Sequence, residues 1–195
     1  MINKTIEIFK SDIEDGIKGS HVGVPGGLPK LDKKIKNIQK GKVYSYVASP
    51  KAGKTAFVLW RHVFIPWILG IRNIKWVFYS LELDSSQILA RLASMWFKKE
   101  KNLKINSNKI LGIGDELLTE DEKELLKECI NSFIEPLCSK LTIITDKHES
   151  MPTAIHKAAL SYASSNGIFI TEDYFIDGER RSRRVGYKPN DPDEN

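Results

Sequence analysis

The stretch VYSYVASPKAGKT, residues 43–55, most constrains what this chain can be. Val43, Ser45 and Val47 alternate as in a strand, a turn containing Gly53 and Lys54 follows, and AFVLW then reads as a helix. Strand, glycine-lysine turn and helix in that order build a phosphate cradle. Backbone N–H groups of Ala48, Ser49, Lys51, Ala52 and Gly53 are expected to wrap the phosphates, with Pro50 shaping the turn. Gly53 lets the main chain approach closely. Lys54 is placed to reach the β- and γ-phosphates, and the Thr55 hydroxyl to ligate Mg²⁺. The start of the helix adds its positive end. The pattern departs from G-x-x-x-x-G-K-[ST] at its first position, which is Ala48.

A length of 195 residues suits one well-cored domain better than two. No apolar run reaches membrane-spanning length, because Pro66 interrupts the longest, from Val63 to Ile71. The N-terminus lacks the uninterrupted apolar segment of a secretory signal. Cys129 and Cys138 show no metal-ligand spacing and are read as reduced thiols of a cytoplasmic protein. A net charge of +5 is compatible with a polyanionic partner without requiring one.

Ile2, Ile6, Phe9, Ile13 and Ile17 recur at helical spacing, so an amphipathic helix is expected ahead of the main domain. A Gly-, Pro- and Lys-rich lead-in follows, with a short helix around Leu31 to Ile35. The first strand is expected at about Val43 to Val47, and the next helix runs towards Ile65, where Pro66 should kink or end it. The apolar run from Lys75 to Leu81 predicts a strand buried on both faces of a parallel sheet. A helix from about Ser86 to Lys99 is capped by Asp84 or Ser85. Thr119 and Glu122 form a capping box for another. Leu141 to Thr145 is a third strand, and Pro152 opens a helix to about Ser165. Strands alternating with helices give an α/β fold with a parallel sheet flanked by helices. In the tail, GIFITEDYFIDGERRSRRVGY alternates as strands do, with Asp177-Gly178 as a hairpin turn and Arg180, Arg181, Arg183 and Arg184 on the return.

Three segments carry a family resemblance over most of Val22 to Ser165: GVPGGLPKLDKKI, ASPKAGKTAF and WVFYSLELDSSQILARLAS. Together they resemble the ATPase core of DnaB-type replicative helicases, within the RecA-like P-loop ATPases, and most of all the bacteriophage versions. The family also tolerates alanine at the position of Ala48. The resemblance implies ATP and Mg²⁺ as cofactors and single-stranded DNA as a partner. It implies a homo-oligomeric, hexameric ring, with residues 1–21 as a linker helix docking on the adjacent subunit and residues 22–195 as a partial ATPase domain. Its glutamate corresponds to Glu82 in YSLEL, the base that activates the attacking water beside the phosphate loop, with Lys54 as its catalytic companion.

The Walker B aspartate stays open between Asp173, in IFITEDYF, and a strand beyond Asn195. Thr171 and Glu172 are too polar for a central strand, so residues 168–187 are expected to form a hairpin-like insertion. The expected core is incomplete at its C-terminus, and the isolated chain is expected to bind nucleotide without appreciable hydrolysis. The tail arginines are expected to touch DNA phosphate or simply to form a solvated basic loop. Two other readings stand beside the helicase: a non-catalytic nucleotide-binding module that joins and regulates a helicase ring, and another RecA-like ATPase of recombinase type.

Overall fold

The computed structural model describes residues 2–17, 19, 22–39, 42–145, 151–176 and 179–190. The chain divides into two compact units, residues 1–71 and 72–195.

In the first unit, α1 (Ile2–Ile17) forms as the apolar spacing predicts, and Ile6, Phe9, Ile13 and Ile17 are all exposed along it. The lead-in loop is tied across its neck. Val24 N donates to Ile38 O at 2.8 Å and Ile38 N to Val24 O at 2.9 Å, enclosing α2 (Pro29–Ile35). Pro29 sits where a missing N–H costs nothing. Residues 42–49 take no regular secondary structure and join no ladder among the described residues, and Val43 and Val47 are 94% and 96% exposed. The expected first strand is therefore absent as a strand. An extended backbone becomes one only when a neighbour accepts its N–H and C=O groups.

The helix after the glycine turn does not end at Pro66. It runs as α3 (Lys54–Leu59), a π-helical turn (Trp60–Phe64) and α4 (Ile65–Ile68). Pro66 has no N–H and its ring crowds the carbonyl four residues back. The helix widens instead of stopping, so that the Ile65 N–H reaches Trp60 O, five residues away. Leu59, Val63, Phe64 and Trp67 are buried along it.

The second unit contains a small parallel sheet. β1 (Trp76–Tyr79) pairs with β2 (Leu141–Ile144) from Trp76↔Leu141 to Tyr79↔Ile144. Both strands are shorter than expected, and Val77 is half exposed, so β1 is not buried on both faces. With one neighbour in the sheet among the described residues, a strand this short has little to pack against.

Between the strands run α5 (Ser85–Glu100), α6 (Ser107–Ile110), α7 (Glu120–Cys129), a second π-helical turn (Ile130–Ile134) and α8 (Glu135–Cys138). Asp84 caps α5, accepting from Gln87 N at 2.8 Å while Gln87 Oε1 accepts from Asp84 N. Thr119 and Glu122 close the expected box on α7. Lys109 on α6 donates to Glu122 at 2.8 Å, joining the two helices. The π turn again precedes a proline, here Pro136. Ile88, Leu92, Ala93, Trp96 and Phe97 of α5 are buried, as are Cys129, Phe133 and Leu137.

α9 (Pro152–Asn166) leads into an antiparallel hairpin, β3 (Gly167–Ile176) and β4 (Glu179–Pro189), with an irregular register between Ile170 and Thr171. The turn dipeptide Asp177-Gly178 lies outside the described residues. Among the described residues no helix is long and apolar enough to cross a membrane.

The two cysteines make a direct check on this packing. Burial pushes the Cys129 thiol up to about 12, and Cys129 has no exposed surface, whereas Cys138 is exposed. Because the thiolate is the reactive form, one equivalent of a thiol reagent should label Cys138 in the native protein. Cys129 should label only on unfolding, as read by peptide mapping.

Candidate nucleotide-binding site

The cradle is built by three local constraints. Ala52 N donates to Ser49 O at 3.2 Å, closing a turn around Pro50 and Lys51. Lys51 and Gly53 then both take left-handed backbone, with φ of 62° and 82°. Glycine accepts that conformation without strain, and Lys51 accepts it at a cost of about 1–2 kcal/mol. Phe57 N donates to Gly53 O at 2.9 Å, starting the helix directly from the turn.

The Lys54 ammonium folds back over the loop and donates to Ala48 O at 2.9 Å and Ser49 O at 3.1 Å. Residues 48–53 are exposed, while Lys54 and Thr55 are half-buried. An exposed loop, a helix start and an ammonium folded over them form a cationic surface suited to phosphate.

The other predicted residues are found in the second unit. Glu82 is exposed on a tight turn at the C-terminal end of β1. That turn is held by Ser80, whose hydroxyl donates to Leu83 O at 2.7 Å and accepts from Leu83 N at 3.0 Å. Asp173 lies on the antiparallel hairpin, where its carboxylate pairs with the Arg180 guanidinium.

The four tail arginines are all on β4, but they are not equivalent. Arg180 pairs with Asp173, Arg181 with Glu179 and Arg183 with Glu172. Arg184 instead stacks on the Phe169 ring, 4.3 Å from its centroid. Among the described residues, its charge is the one of the four with no carboxylate ion pair.

Sequence reasoning passed over the side chains that hold the cradle's flanks. Asp32 Oδ2 accepts from Gly26 N at 3.1 Å and Leu28 N at 3.0 Å, and its Oδ1 lies 2.7 Å from Arg61 Nη2. Arg61 is 0% exposed. The alignment of the Nη2 contact falls short of a hydrogen bond, and Nε and Nη1 meet no acceptor among the described residues. On the other flank Tyr46 Oη and His62 Nε2 share a 2.7 Å hydrogen bond. Tyr44 Oη accepts from Gln39 N at 2.8 Å and donates to Asn37 O at 3.3 Å. The available signal was Arg61 itself, a cation inside the apolar run AFVLWRHVFIPW. A charge there needs a buried counter-charge.

Burial, and secondarily the Arg61 charge, hold the His62 imidazole below its usual value of 6.5. The native state therefore binds fewer protons than the unfolded chain once pH drops below about 6.5. The stability this group contributes is complete above that pH and is lost as pH falls through the lowered native value. Thermal unfolding followed from pH 7.5 to 5.5 should show a falling midpoint, and His62→Gln should flatten that fall.

The sequence was compared with protein families and with curated proteins. The family described as DnaB-like helicase C terminal domain matches residues 23–177, a span that holds the lead-in loop, the cradle, Glu82 and all of β3. A search of curated proteins found no match. The matched span covers most of the sequence, and the chain belongs to the DnaB-like helicase C-terminal domain family.

Proposed function

We propose that this chain is the Mg-ATP-binding module of a DnaB-type replicative helicase, which couples ATP hydrolysis to movement along single-stranded DNA within a homo-oligomeric, hexameric ring. The observation that carries the reading is the cradle. Left-handed Gly53 runs straight into a helix, and the Lys54 ammonium is held over the loop by the Ala48 and Ser49 carbonyls, inside the span matched by the family. When nucleotide binds, the amides of residues 48–55 (Pro50 apart) and Lys54 take the phosphates, and Thr55 offers its hydroxyl to Mg²⁺. The bound ion supplies charge neutralisation at the phosphates. Glu82 serves as the base that takes a proton from the attacking water. The exposed stripe Ile6, Phe9, Ile13 and Ile17 on α1 supports docking on an adjacent subunit. On the hairpin, Arg184 is the residue assigned to DNA phosphate, with Arg180, Arg181 and Arg183 chiefly bracing the strands.

Calorimetric titration with Mg-ATP tests the reading. Wild-type protein should bind, and Lys54→Ala should weaken binding by roughly a hundredfold, the loss of a charge-assisted contact worth about 2–3 kcal/mol. Glu82→Gln should leave affinity within about twofold while lowering turnover in the assembled ring by roughly 10²–10⁴. Unchanged binding in Lys54→Ala would overturn it.

A further inference from the structure

The cradle makes few contacts that could fix its own direction. Residues 48–53 are exposed; the bonds from Ala52 to Ser49 and from Lys54 to Ala48 and Ser49 stay within the cradle, and the bond from Phe57 N to Gly53 O ties it to the helix that follows. Its aim is therefore inherited from its flanks. Both flanks are gripped by adjacent residues of one π-helical turn, Arg61 through Asp32 and His62 through Tyr46.

Arg61 lies seven residues beyond Lys54, about 10 Å along the helix at 1.5 Å per residue. It cannot reach the phosphates that Lys54 reaches. What it does reach is the lead-in loop. Asp32 bonds that loop at Gly26 N and Leu28 N, and the loop passes so close that a Cβ at Gly26 would collide with the Arg61 guanidinium. Gly27 is equally tight, where an added Cβ would lie 2.9 Å from Ile65 and Trp60. An apolar pair would fill this space without desolvating two charges. In some proteins a buried polar or ionic group is retained because it fixes register, at a cost in stability.

We propose that Asp32 and Arg61 are a positioning pair for the phosphate cradle, setting the rotation and register of α3 against the lead-in loop so that Lys54 and the loop amides face one phosphate position. This rests on the nucleotide-binding reading above. Neither residue touches nucleotide; both act through the helix.

The test separates positioning from stability in the full chain. Asp32→Asn combined with Arg61→Met removes both charges at similar volume while keeping a side-chain oxygen for the Gly26 and Leu28 amides, and should keep the unfolding midpoint within about 5 °C of wild type. Mg-ATP affinity, measured by calorimetry, should nevertheless fall roughly tenfold to a hundredfold, as for a reacting group displaced by about 1 Å. Gly26→Ala keeps both charges but pushes the guanidinium aside, and should show the same loss of affinity. Either variant, folded by circular dichroism and binding Mg-ATP like wild type, overturns the inference while leaving the nucleotide reading intact. Wild-type protein that fails to bind Mg-ATP overturns both. Should neither variant fold, the pair serves the fold itself and the positioning role is rejected.

Discussion

A guanidinium with no exposed surface is an expensive thing to keep inside a small protein, and the first unit is organised around one. Removing a single partner from such a pair costs about 3–5 kcal/mol, because the remaining charge is left buried. Asp32 does not answer Arg61 alone. Its second oxygen takes the Gly26 and Leu28 amides, so one carboxylate holds a loop and a helix together. The two glycines follow from this, since the loop must pass over Arg61, Trp60 and Ile65 with no room for a Cβ. The cradle begins where that helix begins.

A second constraint is shared by both units. Each carries a helix with a proline placed where it should break, Pro66 and Pro136, and each meets it with a π-helical turn just before. The wider turn keeps the helix going past the proline, at the cost of a bulge that turns side chains out of their usual succession. In the first unit the bulge carries Arg61 and His62 side by side, one engaging the loop before the cradle's strand segment and the other the segment itself. In the second it carries Phe133 and Ile134 into the core.

Legibility in the sequence divided along physical lines. Features written in local chemistry were readable. The apolar spacing of α1, the Asp84 and Thr119–Glu122 caps, Pro152 at a helix start and the hairpin arginines all stand where the residues imply. The cradle's glycine and lysine were equally plain, because left-handed backbone and a cation leave few alternatives. Features decided by distant partners were not readable. Val43 to Val47 alternates like a strand yet joins no ladder among the described residues, and WVFYSL is nearly all apolar yet half open at Val77. The Asp32–Arg61 contact spans separate elements, and only the oddity of an arginine in an apolar run hinted at it. Short α6, capped by Asn106, escaped because four residues give no periodicity to detect.

The proposed phosphate cradle of residues 48–55 takes its aim from the helix that follows. Amide hydrogen exchange with and without Mg-ATP addresses it at the atoms concerned. The loop is exposed, so its amides should exchange fast in the free protein. Saturating Mg-ATP should slow the amides of residues 49–55 while leaving the exposed α1 segment unchanged. Exchange in that loop unaffected by nucleotide would contradict the claim.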